Sequence, residues 1–283
     1  MENTQHWTEE ISAKHNLFDL KLRSVWRYKD LLALMVRRDF AANYKQTILG
    51  PLWFFINPLI SSIIFSIIFG GIAGISTDEL PQMLFYMSGL TLWNYFQECL
   101  NSTANVFRNN AGIFGKVYFP RLIMPLSIVI GNLLKFLLQF AMFLCFLIYF
   151  LIIGNKNVHP NTYMLLLPGL IILIAGIGLG IGMIISALTT KYRDMTFLLN
   201  FGVSLLMYAT PVIYPMSSVP EKYKPFLAVN PITPIIEAFR YGFLGNGQIS
   251  FMGLAYSTIF VIVALLIGIV VFNKVERSFM DTV

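Results

Sequence analysis

Charge is scarce in this chain: 12% of its 283 residues are Asp, Glu, Lys or Arg, against 57% hydrophobic residues. Too few polar side chains remain to solvate a globule of this length, so lipid must cover much of the surface, and a soluble enzyme is excluded. Cysteine is nearly absent. Cys99 and Cys145 lie inside long apolar stretches with no CxxC neighbour, which argues for buried packing residues and against a disulfide or zinc site. His6, His15 and His159 are scattered and form no metal cluster. A Walker sequence is missing too. In the GIFGK segment Asn110 stands where the first Gly of GxxxxGKS/T belongs, and Val117 replaces the hydroxyl residue that would meet magnesium, so no nucleotide site is expected.

Apolar length, by contrast, is plentiful. Crossing about 30 Å of hydrocarbon takes roughly 20 apolar residues, and six stretches qualify: 51–73, 83–107, 122–153, 163–188, 196–214 and 251–272. Runs this long lack the alternation of a membrane barrel, so helices are expected. The predicted fold class is all-α, a polytopic membrane protein, with residues 1–50 a cytoplasmic N-terminal segment and 51–283 a single six-helix transmembrane domain. The segment before the first span and the exits of even-numbered spans hold fifteen of the twenty Lys and Arg residues. By the positive-inside rule both termini are then cytoplasmic. Topology and membrane-surface contact account for the net charge of +6 without nucleic acid. No signal peptide is expected, because the first forty residues lack a continuous apolar run with a small-residue cleavage site.

At 37–60, RRDFAANYKQTILGPLWFFINPLI, a basic segment turns into an apolar run without a linker. Ahead of it, Phe18, Leu22, Val25, Leu32, Val36 and Phe40 recur at intervals compatible with one helical face, with Lys21, Arg23, Arg27, Arg37 and Arg38 around them. This predicts an amphipathic helix over 17–44 that lies on the membrane surface and leads into the first span.

Within the spans, polar residues keep helical spacing. Asn94, Glu98, Asn101 and Asn105 share one face of the second, and Asn132, Lys135 and Gln139 one face of the third. Glu98 and Lys135 lie about 14 Å and about 20 Å from the cytoplasmic ends at roughly 1.5 Å per residue, so snorkelling can bring them together. An intramembrane charge costs on the order of 3 kcal/mol and therefore faces a partner or water; a structural pair and a substrate contact both satisfy that demand. Asn200, Ser204 and Tyr208, at steps of four, form a further polar face in the fifth span. It suits either a hydroxyl-rich substrate or hydrogen bonding between helices. Gly176, Gly178, Gly180 and Gly182 alternate with no preceding strand, which points to close helix approach and not to a dinucleotide fold.

Two connectors are unlike solvated loops. The cytoplasmic 108–121, RNNAGIFGKVYFPR, combines aromatics with basic residues, a surface suited to a protein partner. The outer 215–247 contains NPITPIIEAFRYGFLG, too apolar for a solvated loop and too broken for a span, and reads as one or two short helices re-entering the outer leaflet.

The RDF, YKQTILGPLW and NPL elements, the NNAGIFGKVYFPRLIMPLS loop, KYRD, TPVIYP and the NP…FR stretch together resemble the permease subunit of type-2 ABC exporters. The resemblance is to the branch that exports polysaccharides such as O-antigen, capsule or teichoic acid chains, and it covers the chain from about residue 17 onward. It implies a homodimer of six-span subunits in the bacterial cytoplasmic membrane, joined to two copies of a separate ATPase that handles ATP and Mg. It further implies an N-terminal interface helix, a coupling helix in 108–121, re-entrant helices at the outer gate, and a lipid-linked glycan passing between the subunits. Coupling is then expected at Ile113, Phe114, Tyr118, Phe119 and Arg121, with Arg37 and Arg38, and the substrate path at Asn57, Asn94, Glu98, Asn200, Ser204 and Tyr208. A type-2 ABC exporter of drugs or lipids would share the topology. A membrane-embedded glycan transferase would need acidic residues that Asp78, Glu79, Asp194 and Glu237 are too isolated to supply.

Overall fold

In a computed structural model the described residues are 26–44, 50–114, 119–192 and 194–280. Among them all regular structure is helical and no strand occurs. α1 (Lys29–Tyr44) precedes α2 (Trp53–Phe65), which widens into a π-helical turn at Ser66–Ile72. There follow α3 (Gln82–Ala104), α4 (Ile123–Ile152), α5 (Leu167–Lys191), α6 (Met195–Tyr208), the short α7 (Lys224–Ala228), α8 (Thr233–Leu244) and α9 (Phe251–Met280). Single turns at Val106–Asn109 and Ala111–Phe114 link α3 to α4. Of the interface helix predicted over 17–44, the part from 17 to 25 lies outside the described residues.

Among the described residues, four stretches are long and apolar enough to cross a bilayer: Trp53–Ile72, Ile123–Ile152, Thr162–Lys191 and Phe251–Val275. The other two predicted spans differ for separate reasons. α3, with 23 residues, is about 34 Å long at 1.5 Å per residue, but its Asn, Gln, Glu, Ser and Thr residues dilute its apolar character. It can carry them because it is buried along most of its length between α4, α5 and α2, and so meets protein where the others meet lipid. α6 is apolar but has 14 residues, about 21 Å. It gives way to turns at 209–214, where Pro211 cannot continue the helical hydrogen bonding.

The alternating glycines resolve into two interleaved stripes on α5. A Cβ on Gly176 or Gly180 would come within 2.5 Å of Val261 or 2.9 Å of Ala264 on α9, and one on Gly178 or Gly182 within 2.9 Å of Cys99 or 2.7 Å of Thr103 on α3. Each i, i+4 pair thus admits one neighbour, and α5 is clasped from both sides. Where the solvent is lipid, such close packing replaces water exclusion as the force between helices. Cys99 is buried at this contact as expected, whereas Cys145 is exposed on α4: an apolar stretch long enough to span also has a face turned outward.

Candidate functional site

Met35 of α1 is buried with Val106, Phe107, Phe119, Ile123, Met124, Met183 and Phe272, and Tyr28, Leu31, Leu32 and Ile113 pack around them. The helix expected to lie on lipid therefore buries one stripe against its own protein. Residues 28, 31, 32 and 35 stack along one face at helical spacing, and the apolar connector between α3 and α4 supplies the surface that covers them. The rings of Phe107 and Phe272 stack at 4.6 Å between centroids, tying that connector to α9. Arg38 Nη2 donates to Asn110 Oδ1 at 3.1 Å, and Asn110 Nδ2 donates to the Val106 carbonyl at 3.0 Å, so α1 grips a connector whose turn is already braced.

The expected coupling residues divide on this geometry. Arg37 is exposed, Arg38, Ile113 and Arg121 are half-buried, and Phe119 is buried inside the cluster. The Phe114 side chain and Tyr118 lie outside the described residues.

Deeper in the bilayer, α3 and α4 run antiparallel, so their polar stripes meet rung by rung. Lys135 Nζ lies 3.2 Å from Glu98 Oε2. One turn earlier on α3, Asn94 Nδ2 donates to Gln139 Oε1 at 3.3 Å. At the far end of the α3 stripe Thr196 of α6 donates to Asn105 Oδ1 at 3.0 Å, so the stripe also holds the start of α6. The Lys135 ammonium sits 5.6 Å from the centre of the Phe54 ring on α2. Asn57, one turn along from Phe54, is exposed. Asn200, Ser204 and Tyr208 are exposed on α6, where Ser204 Oγ donates to the Asn200 carbonyl at 2.9 Å and Tyr214 donates to the Tyr208 carbonyl at 3.0 Å. None of these bonds joins the α6 face to the rungs between α3 and α4.

The connector 215–247 forms short helices, the longest being α8 with 12 residues, about 18 Å and too short to span. Nearly every residue of α8 is buried. Its anchor is Arg240, 2% exposed, a residue that periodicity alone does not single out. The guanidinium donates to the Pro211 carbonyl, to the Val212 carbonyl at 2.8 Å and to Ser88 Oγ at 3.2 Å, and it stacks on Phe85 at 3.8 Å from the ring centre. Glu237, one turn earlier, places Oε1 3.6 Å from Nη1. An unpaired guanidinium at this depth would cost several kcal/mol. Here one side chain satisfies the carbonyls freed where α6 breaks, and at the same time fastens α8 to α3. The available signal in the sequence was the Glu-x-x-Arg spacing inside an otherwise apolar run.

Beside this anchor an open groove of about 340 Å³ is lined by Tyr208, Tyr214, Tyr223 and Phe226 among others. The loop between α2 and α3 reaches over the same face. Asp78 Oδ1 accepts from Ser217 at 2.6 Å, the Asp78 carbonyl accepts from Asn246 at 2.7 Å, and the Glu79 carbonyl accepts from Asn157 at 2.9 Å. These bonds hold Asp78 and Glu79 in left-handed conformations, at φ 52° and 63°.

With this geometry in hand, residues 30–244 match one family model, that of the ABC-2 type transporters. The chain belongs to the ABC-2 type transporter family. This ABC-2 protein is 29% identical over 258 residues to the O-antigen export system permease protein RfbA of Klebsiella pneumoniae, across 89% of this chain and 94% of that protein. It is 26% identical to the RfbA permease of Myxococcus xanthus, across 77% of this chain and 82% of that one. To the polysialic acid transport protein KpsM of Escherichia coli it is 23% identical, across 87% of this chain and 93% of that protein. The family match runs from the second residue of α1 to the last of α8, so the Arg240 anchor and every buried member of the Met35 cluster but Phe272 fall within it.

Proposed function

We propose that this chain is the permease subunit of an ATP-driven exporter of lipid-linked polysaccharide, of the O-antigen, capsule or teichoic acid type, in the bacterial cytoplasmic membrane. Two copies enclose the path, and each engages one copy of a separate ATPase that binds ATP and Mg. In this reading α3 and α6 complete six spans, both termini are cytoplasmic, and α7 and α8 re-enter the outer leaflet. The permease makes and breaks no covalent bond.

The observation that carries this reading is the cytoplasmic cluster. Met35 of α1, the connector residues Val106, Phe107 and Phe119, Met183 of α5 and Phe272 of α9 share one packed core, so a displacement of the connector reaches several spans at once. Protein interiors of this kind shift as units and do not deform smoothly. An ATPase pressing on Arg37, Phe114 and Tyr118 would therefore move helices and not merely a loop. Full-length relatives named for O-antigen and polysialic acid transport support a glycan as cargo.

The test is export from cells lacking this chain. Loss of surface glycan, with lipid-linked glycan accumulating inside and movement restored by this chain together with its ATPase, is the expected result. Intact surface glycan accompanied by sensitivity to a small toxin would instead identify a drug or lipid exporter of the same family.

A further inference from the structure

α3 is buried along most of its length, and Glu98 breaks that pattern, with 52% of its side chain exposed. Its partner Lys135 is 18% exposed, and the Phe54 ring lies over its ammonium. The ion pair is therefore turned with the carboxylate outward and the cation inward. Two accessible residues beside it are polar as well, among exposed apolar neighbours such as Trp53 and Leu134: Asn94 is half-buried one turn along α3, and Asn57 is exposed one turn beyond Phe54 on α2. Lipid tails offer nothing to a half-exposed carboxylate, so this strip of an otherwise apolar surface is unsuited to face lipid.

We propose that the strip of Asn57, Asn94 and Glu98 is a charge-selective wall of the glycan path, with Lys135 as the positioning residue that holds Glu98 in place. This rests on the reading of the chain as a glycan exporter. An ionised carboxylate only accepts hydrogen bonds, and the two amides accept as well as donate. Such a wall takes chains of neutral or amino sugars, whose hydroxyl and ammonium groups donate, and it repels chains rich in uronic or sialic acids, because like charges in a narrow, partly desolvated cleft interact far more strongly than in bulk water.

The experiment uses the full chain in cell membranes, with the exposed Cys145 replaced by serine, the buried Cys99 kept, and Asn94→Cys introduced as a reporter. The thiol is titrated with 2-aminoethyl and 2-sulfonatoethyl methanethiosulfonate, a cation and an anion of similar size. Both are expected to react. Glu98→Gln should lower the cation-over-anion rate ratio about tenfold, and the exchange Glu98→Lys with Lys135→Glu, which keeps the pair but turns the cation outward, should drive the ratio below the Gln value. Absence of reaction with either reagent, meaning that the strip is sealed by lipid or by a second copy, overturns the proposal. So does a ratio that neither change moves. These thiol rates do not depend on what the complex exports: failure of the exporter reading appears separately, as no ATP-dependent movement of any glycan by the unsubstituted chain.

Discussion

Arg38 and Asn110, 72 positions apart in the chain, are joined by a hydrogen bond of 3.1 Å from Nη2 to Oδ1. Asp39 Oδ1 lies 2.6 Å from the same Nη2, so the guanidinium is held in position on the helix side of the contact. This bond and the apolar core beneath it join the N-terminal helix to the connector between α3 and α4 in one packed unit.

If that bond carries work, Arg38→Met and Asn110→Leu should each lower glycan export per ATP hydrolysed, and the double substitution should be no worse than the more severe single one. A coupling energy of about 1 kcal/mol, roughly fivefold, is expected. Export and hydrolysis measured on the same proteoliposomes supply the cycle, and purely additive losses would place the bond outside the coupling route.

Phe119 and its neighbours should separate by phenotype. Phe119 is 4% exposed, so Phe119→Asp buries a charge in the cluster and should reduce the amount of folded protein, at a cost of about 3 kcal/mol or more. Phe114→Asp and Tyr118→Asp should leave insertion intact while uncoupling hydrolysis from export. Detergent-stable yield by size-exclusion chromatography reads the first effect and ATPase-to-export ratio the second. Wild-type export in both of the latter variants would remove these two residues from the coupling surface.

The two glycine stripes predict a contrast within one helix. Gly182→Ala places a Cβ 2.7 Å from that of Thr103 and should destabilise by about 1–3 kcal/mol through overpacking. Gly169→Ala meets nothing within 4 Å, and should stabilise by about 0.5–1 kcal/mol from helix propensity alone. Thermal unfolding in detergent should shift in opposite directions for the two.

Arg240→Met should be among the most damaging single changes. It leaves the Pro211 and Val212 carbonyls without their donor and Glu237 without its counter-charge, which costs about 3–5 kcal/mol. Arg240→Lys should fail to rescue, because a single ammonium cannot reach two carbonyls and Ser88 while lying flat on Phe85. Thermal stability of the two variants beside the unsubstituted chain tests both statements, and a fully stable lysine variant would show that charge alone suffices.

Along single helices the sequence is informative, and its limits are equally local. Uninterrupted apolar length marks Trp53–Ile72, Ile123–Ile152, Thr162–Lys191 and Phe251–Val275 as spans, and spacings of three and four put Glu98 with Asn94 and Lys135 with Gln139. α3 was legible through its polar stripe although its apolar content is low, because a helix interior to a bundle needs no lipid-compatible surface. α6 is shorter than the apolar run around it, since Pro211 ends the helix before hydropathy falls. Cys145 shows the same limit, as hydropathy reports that a residue can sit in a membrane and not which side of the helix it occupies.

Chain order alone therefore determined the class of protein, its four long apolar helices and the faces along them, because each depends on residues within a few turns of one another. The partners across those faces were decided by tertiary packing. Arg240 finds Ser88 across 152 positions, Arg38 finds Asn110, Phe119 turns inward, and the alternating glycines sort between α3 and α9. Helical period states which residues look the same way. Which helix they look at depends on where every other helix has packed, and that is a property of the assembled bundle.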